Sequence, residues 1–234
     1  MFTNLFLLFL FVCILIIVLY LNNRSAMPFK NYTILALGDS YTIGEGIPLE
    51  DSFPYQLVQS LRKTGQSFTA PEIIAQTGWT TDDLKKGIRK HVFLRSYDFV
   101  SLLIGVNNQY RGLDINEYAL HFEQLVKQAI AFAGGEHRYV FVLSVPDWGI
   151  SPYASGRNRE EISSEINKYN LVNKNTAEEY RVQYIDITST APHVIDESAW
   201  APDLLHPSAT EYQRWAQLIA EQIQSLIVYD KQEL

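Results

Sequence analysis

The stretch Ile34-Leu35-Ala36-Leu37-Gly38-Asp39-Ser40-Tyr41-Thr42 joins a short apolar run to a polar turn. Short apolar runs that end in turn residues are typical of buried strands. A Gly-Asp-Ser turn after such a strand is, taken alone, most often only a turn. In an open parallel α/β sheet, however, ligands bind outside the carboxyl ends of the strands. The position of Ser40 therefore predicts a serine that projects into a cleft.

Further short apolar runs follow along the chain and alternate with segments of helical spacing. We predict strands at residues 33–37, 72–75, 99–104, 139–145 and 182–187. Between 115 and 130, and again between 212 and 226, apolar residues recur at three- and four-residue steps, which indicates helices that face a core. Alternation of strand and helix predicts a parallel sheet covered on both faces. The predicted fold is a three-layer α/β/α sandwich with a central parallel sheet.

Composition places the chain among globular proteins with one sizeable core. The 234 residues are 47% hydrophobic and 19% charged, and the formal net charge is -7. A nucleic-acid binder would normally carry a basic face or stripe, and no run of lysines and arginines supplies one here. We therefore exclude nucleic acid as a partner.

The N-terminus carries a separate signal, an apolar run over residues 5–21 that contains Cys13, the only cysteine. At about 1.5 Å per residue, a helix of this length can just cross a hydrocarbon core of about 30 Å. A cleaved signal peptide is the alternative, but no lysine or arginine precedes the run and the small-residue cleavage pattern is poor. We predict an anchor or signal segment at residues 1–24, a linker at 25–31 and a globular domain at 32–234.

Two features of the sequence bear on the side of the membrane that the globular domain occupies, and they favour opposite sides. Arg24 and Lys30 follow the apolar run, and this positive charge favours a cytoplasmic domain. A short N-terminal segment ahead of a large domain often serves as an export signal instead. We expect a membrane-anchored, extracytoplasmic domain, or a secreted one if the segment is cleaved.

Polar residues cluster where the predicted strands end. Gly78 follows the second strand, Asn107 follows the third, and Asp203 and His206 precede the last helix. Because parallel strands end at one edge of the sheet, we expect these residues to converge on Ser40. Each has an ordinary alternative when taken singly: a strand-exit glycine, a turn asparagine, a helix cap and a buried histidine. In this order and at these positions, the combination favours a catalytic site.

Acyl transfer needs such a set of residues. A serine hydroxyl is a poor nucleophile until a base takes its proton, and His206 is the natural base for Ser40. Asp203, three residues earlier, can hold the imidazole in one tautomer. The negative charge of a tetrahedral intermediate requires fixed donors, which the backbone N–H groups of Ser40 and Gly78 and the side-chain amide of Asn107 can provide.

These blocks resemble those of the SGNH hydrolase superfamily, the GDSL-type esterases and lipases. The matching blocks, in order, are Gly38-Asp39-Ser40, then Gly78, then Gly105-Val106-Asn107, and finally Asp203-Leu204-Leu205-His206. The resemblance spans nearly all of the predicted domain. It implies a serine esterase with Ser40, His206 and Asp203 as triad and Ser40, Gly78 and Asn107 as oxyanion hole. Asn108 departs from the family, which usually has aspartate there, so any negative charge from that aspartate is absent.

The implied reaction is hydrolysis of acyl or acetyl esters through an acyl-enzyme. An acyltransferase with the same triad, or a non-catalytic carbohydrate- or lipid-binding module on the same fold, remains an alternative. We expect a small-molecule or glycan ester as substrate, with the membrane as a second partner. The other histidines show no metal-ligand spacing, and no phosphate-binding glycine loop occurs, so no metal or cofactor is expected. The residues that we expect to contact substrate, through rim aromatics or a polar side chain, are Tyr41, Trp79, Asn108, Tyr110, Trp148 and Trp200.

Overall fold

The computed structural model describes residues 12–14, 30–188 and 197–232. The chain divides into two units, Met1–Asn31 and Tyr32–Leu234. In the first unit, residues 12–14 are helical, and the rest of the predicted anchor at residues 1–24 lies outside the described residues. Among the helices that the structure describes, none combines the length and the apolar character that a membrane crossing requires.

A five-stranded parallel sheet forms the centre of the second unit. The strands of the structure are β1 (Asn31–Tyr32), β2 (Ile34–Asp39), β3 (Ser67–Phe68), β4 (Glu72–Gln76), β5 (Phe99–Leu103), β6 (Val140–Leu143) and β7 (Gln183–Ile185). The strand order in the central sheet is β4-β2-β5-β6-β7, and a separate two-stranded sheet pairs β1 with β3. All five predicted strands are present, with ends that shift by a few residues.

Helices lie between successive strands of the central sheet, and a further helix follows the last strand. They are α1 (Ser40–Ile43), α2 (Phe53–Lys63), α3 (Thr81–Ile88), α4 (Val106–Tyr110), α5 (Ile115–Phe132), α6 (Arg159–Glu179) and α7 (Ala209–Gln232). Short 3-10 turns lie at Leu49–Asp51, His137–Tyr139, Trp148–Ile150, Pro152–Ala154 and Glu197–Ala199. The two predicted amphipathic segments correspond to α5 and α7.

Apolar side chains of the sheet alternate between two hydrophobic layers. In β2, Ile34 belongs to one buried cluster, which also contains apolar residues of α2 and α7. Leu35 and Leu37 belong to the other cluster, together with residues of α3 and α5. This alternation is the two-residue period of a strand that is buried on both faces. The predicted three-layer sandwich is therefore confirmed.

The strand order creates a crevice at the carboxyl edge of the sheet. From β2 the chain moves to β4 on one side and later to β5 on the other, so β2 and β5 are neighbours whose connections lead in opposite directions. Such a topological switch point is where open α/β sheets bind ligands. Ser40 directly follows β2, and Asn107 lies two residues beyond the Ile104-Gly105 exit of β5.

Candidate active site

Ser40 is fixed by a one-turn helix at the end of β2. Asp39 caps this helix, because its Oδ1 accepts a hydrogen bond of 3.0 Å from the Tyr41 N–H. The helix ends at Gly44, whose left-handed conformation lets its N–H donate to the carbonyl of Ser40. Ser40 is buried, with 5% of its surface exposed. The serine therefore has a set position at the sheet edge.

A continuous hydrogen-bond chain connects Ser40 with His206 and Asp203. His206 Nε2 lies 2.9 Å from Ser40 Oγ, and His206 Nδ1 lies 2.6 Å from Asp203 Oδ2. The other carboxylate oxygen of Asp203 accepts from the backbone N–H groups of Leu205 and His206, each at 2.9 Å. This arrangement can pass a proton from the serine hydroxyl to an oriented imidazole.

Electrostatics keep the Asp203 carboxyl ionised. Partial burial raises its pKa, but the hydrogen bonds from the His206 ring and from the His206 and Leu205 backbone outweigh burial, and the pKa lies below its ordinary value. The outer side of the carboxylate is open to solvent, with 36% of the side chain exposed. An ionised Asp203 is the form that can orient the Nδ1–H of His206.

A tight turn holds Asp203 and His206 in the positions that allow their side chains to hydrogen-bond. The Ala201 N–H donates to the His206 carbonyl at 2.7 Å, and Trp200 pairs with Pro207 in an antiparallel bridge. Leu204 turns the chain between them with a φ of 60°, a left-handed conformation that is uncommon for a residue with a branched side chain. The Tyr41 ring then packs beside the imidazole, with ring centroids 4.7 Å apart.

The three predicted oxyanion donors line one cavity of about 180 Å³ together with His206. Ser40, Gly78 and Asn107 reach it from the ends of three neighbouring strands, β2, β4 and β5. The Asn107 amide is fixed by a 3.0 Å hydrogen bond from its Nδ2 to the carbonyl of Trp79. The cavity therefore brings the three predicted donors together beside His206.

Asp39 is a second carboxyl group in the site, which the sequence analysis did not single out. Only 1% of its surface is exposed. Burial raises its pKa to about 7, even though hydrogen bonds from the Tyr41 N–H and the Asn107 side chain favour the charged form. Its place between the serine helix and Asn107 could not be read from the motif, because a motif gives no burial.

The predicted substrate contacts fall into two groups. Tyr41, Tyr110 and Trp148 do line the cavity. Tyr153 joins them from the 3-10 turn Pro152–Ala154, which the sequence analysis missed. Like the other loops of the site, the loop that carries Tyr153 follows the carboxyl end of a strand, here β6, and its position could have been predicted for that reason. The remaining lining residues not predicted from sequence are Thr77, Val106 and Leu205.

Asn108, Trp79 and Trp200 require correction, since none of them lines this cavity. Asn108 is buried, and its amide is used by Thr81, with Oδ1 accepting from the backbone N–H at 3.0 Å and Nδ2 donating to Oγ1 at 2.9 Å. It therefore fastens the start of α3 instead of contacting substrate. The Trp79 ring packs against α3 so closely that a Cβ on Gly87 would lie 2.3 Å from it.

Titratable side chains do not assemble into a metal centre in the part of the chain that the structure describes. His91 lies 2.9 Å from Glu72, and His137 hydrogen-bonds to a backbone carbonyl, so each has an ordinary structural partner.

Comparison with known proteins places the chain in a family. A family model, described as the GDSL-like lipase/acylhydrolase family, matches residues 36–214, more than half of the chain. The chain belongs to that family. The predicted resemblance is thereby confirmed, and the protein is a carboxylic ester hydrolase. No curated protein matches the sequence significantly.

Solved structures share the fold of this GDSL-family chain at low sequence identity. The acetylxylan esterase Axe2 from Geobacillus stearothermophilus has a TM-score of 0.65 at 20% identity, over 84% of this chain and 96% of that one. A lipase/acylhydrolase from Enterococcus faecalis has a TM-score of 0.64 at 21% identity, over 83% and 96%. The psychrotrophic esterase EstA from Pseudoalteromonas sp., inhibited by monoethylphosphonate, has a TM-score of 0.61 at 14% identity, over 84% and 99%.

Proposed function

We propose that this GDSL-family protein is a serine esterase that hydrolyses short-chain acyl esters, above all acetyl esters of saccharides, through an acyl-enzyme. The observation that carries the proposal is the hydrogen-bond chain from Ser40 through His206 to Asp203 at the wall of the cavity. A serine, a histidine and an aspartate in this geometry perform acyl transfer on several unrelated folds.

In the first half-reaction, Ser40 Oγ attacks the ester carbonyl while His206 Nε2 accepts the hydroxyl proton. Asp203 stabilises the imidazolium through its hydrogen bond to Nδ1. The tetrahedral intermediate collapses when the bond to the alcohol oxygen breaks, and His206 gives its proton to that oxygen. In the second half, His206 takes a proton from water, the resulting hydroxide attacks the acyl-serine, and the carboxylic acid leaves as Ser40 regains its proton.

The Ser40 and Gly78 N–H groups and the Asn107 amide are the donors that we assign to the developing oxyanion. Removal of one such donor typically lowers the rate about 100- to 1000-fold. The hydrogen bond from Asn107 to the Trp79 carbonyl keeps the amide from rotating, so little reorganisation is needed during the reaction.

Cavity size and lining support a short acyl group. Pockets that enclose drug-sized ligands typically have volumes of roughly 300–1,000 Å³, whereas this cavity has about 180 Å³. Its outer wall is aromatic, and Tyr110 and Tyr153 are 46% and 40% exposed. Exposed rings offer stacking surfaces to a saccharide. The fold shared with an acetylxylan esterase is in keeping with this substrate class.

Ser40→Ala tests the proposal, with Ser225→Ala on the exposed face of α7 as the matched control. We expect Ser40→Ala to lower kcat for 4-nitrophenyl acetate by at least about 1000-fold, and Ser225→Ala to have no effect. A fluorophosphonate probe should add one mass label to the wild-type peptide that contains Ser40. Full activity of Ser40→Ala, or a label on another residue, would refute the mechanism.

We also propose that the apolar run at residues 5–21 attaches this esterase to a membrane. The support is its composition alone, since that run lies mostly outside the described residues. Cell fractionation of the full chain tests it: we expect esterase activity in the membrane pellet, released by detergent but not by alkaline carbonate. Release by carbonate would contradict membrane insertion.

A further inference from the structure

We propose that Arg157 forms an anion-binding subsite at the mouth of the cavity and selects saccharide esters whose alcohol part carries a carboxylate, such as a uronic acid. This inference rests on the proposed esterase function and specifies its substrate. It concerns a residue outside the GDSL-type motifs.

The Arg157 guanidinium is held against the aromatic wall of the cavity. Its central carbon lies 5.4 Å from the ring centroid of Tyr110, and 5.2 Å from those of Trp148 and Tyr153. All three rings line the cavity. An arginine that stacks on aromatic faces is pre-organised, so less freedom is lost when it binds a ligand. We name this group of four residues, Tyr110, Trp148, Tyr153 and Arg157, the cationic rim.

Arg157 keeps most of its hydrogen-bonding capacity within the described part of the chain. A guanidinium has five N–H donors, and one contact is formed here, from Nη2 to the Tyr110 hydroxyl at 3.3 Å. No described carboxylate pairs with it, whereas Arg111 pairs with Asp83 and Arg138 with Asp230. In a chain of net charge -7, this cation at the site stands without a protein counter-ion among the described residues.

The cationic rim also contains two tyrosine hydroxyl groups that contact each other. The Tyr110 and Tyr153 hydroxyls lie 3.3 Å apart. Hydrogen bonds from Tyr153 and from Arg157 lower the pKa of Tyr110 below its ordinary value, and the contact with Tyr110 raises the pKa of Tyr153. A carboxylate would add a planar acceptor to this group, and bidentate pairing with the guanidinium is the geometry that arginine favours.

The position of the cationic rim assigns the anion to the alcohol part of the ester. Ser40 and His206 lie in the cavity wall, and no described lysine or arginine lines the cavity itself. A charged acyl group inside it would be buried without a counter-charge, which is unfavourable. The alcohol part, which leaves the cavity across the three rings, meets Arg157 outside.

Acetate release from two matched substrates tests the inference. The first is an O-acetylated oligogalacturonate with free carboxylates, and the second is the same oligomer with its carboxylates methyl-esterified. We expect wild-type protein to have the higher kcat/KM for the free acid. Hydrogen bonds to charged groups are strong enough that Arg157→Gln should lower the ratio of the two kcat/KM values roughly 10- to 100-fold.

Arg138→Gln is the matched control, because Arg138 also stacks on tyrosine rings but pairs with Asp230 and lies outside the cavity lining. It should leave the ratio unchanged. The inference fails if wild-type protein does not prefer the free acid, or if Arg157→Gln lowers both kcat/KM values equally. Failure of the esterase proposal is a different result, namely 4-nitrophenyl acetate hydrolysis that does not depend on Ser40.

Discussion

Asp39 shows how one residue of a motif serves the site at a cost to the fold. Its carboxyl caps the helix that carries Ser40, and the nearby Asn107 side chain favours its charged form, so Asp39 links two residues of the candidate site. The same position is almost fully buried, and burial raises the pKa of Asp39 to about 7. Above that pH the folded protein must hold a buried charge, which the unfolded chain exposes to water.

The sign of the resulting pH dependence follows from proton linkage. Between the ordinary pKa of 3.8 and the raised value of about 7, the folded state binds more protons at Asp39 than the unfolded state. The stabilising contribution is therefore complete below pH 3.8 and is lost as the pH rises through 7. We expect wild-type protein to lose roughly 2 to 3 kcal/mol of unfolding free energy relative to Asp39→Asn between pH 5 and pH 8.

Urea denaturation of both proteins at the two pH values measures this difference. The change in unfolding free energy between the two pH values is compared for the two proteins. Any hydrogen bond that the asparagine forms or loses at both pH values contributes equally at each pH and drops out of this comparison. A constant offset between the two proteins would mean that Asp39 does not titrate in this range.

In contrast to the buried Asp39, the solvent-exposed Asp203 is proposed to act on the reaction, by orienting His206. We expect Asp203→Asn to lower kcat by about 1,000- to 10,000-fold, since the amide no longer favours the productive His206 tautomer. The far-UV circular dichroism spectrum should not change. Asp82→Asn, which removes another solvent-exposed carboxylate, is the control and should retain full kcat. A loss of less than tenfold in Asp203→Asn would show that His206 is oriented by other groups.

At the residue scale, residue type and position along the chain were enough to predict which side chains meet. Ser40, Asp203 and His206 were predicted and lie in one hydrogen-bond chain. Arg157 was missed because its role depends on three rings that are brought together from two loops, and no local pattern encodes that meeting. Asn108 was misplaced because the direction of a side chain on a five-residue helix cannot be read from its neighbours.

Among the structural elements, β2 and β5 approach each other so closely at the site that only glycine fits at Gly38. A Cβ there would lie 2.4 Å from the Leu103 carbonyl oxygen and 2.0 Å from Thr42 Oγ1. Both strands and the serine helix would have to shift to accept it. The glycine of the Gly-Asp-Ser block is thus required by packing.

We expect Gly38→Ala to destabilise the protein by at least about 3 kcal/mol or to prevent folding, as overpacking at buried backbone does. Gly65→Ala is the control: Gly65 has a φ of +84°, but nothing lies within 4 Å of its added Cβ. Its cost should be about 1 kcal/mol, from the left-handed conformation alone. Thermal unfolding of both variants measures the difference. Equal melting temperatures would contradict the steric explanation.

Element boundaries were predictable to the extent that burial creates a pattern. The five central strands and the long helices α5 and α7 follow from apolar runs and helical stripes. The serine helix α1 has four residues and the helix α4 has five, too few for any periodicity to be detected. These short helices carry Ser40 and Asn107. The elements that are hardest to predict from sequence are therefore the ones that position the candidate site.

For the molecule as a whole, net charge and local charge have opposite effects on an anionic substrate. The chain carries a formal net charge of -7, which repels a carboxylate at long range. Arg157 attracts it only at short range, within the cationic rim. Salt weakens both interactions, because the Debye length falls to about 10 Å at 0.1 M. With Arg157 present, the short-range attraction can outweigh the long-range repulsion of the carboxylate. Without Arg157, only the repulsion remains.

The salt dependence of Arg157→Gln separates the two interactions. Once the local cation is removed, the net negative field remains, so we expect kcat/KM for the free-acid oligogalacturonate to rise as NaCl increases from about 20 mM to about 200 mM. With wild-type protein, the same increase should reduce the preference for the free acid over the methyl ester, because the attraction to Arg157 is screened. The methyl ester serves as the internal control, since it carries no charge for either field to act on. A fall in kcat/KM for the free acid in Arg157→Gln would show that another cation binds the carboxylate.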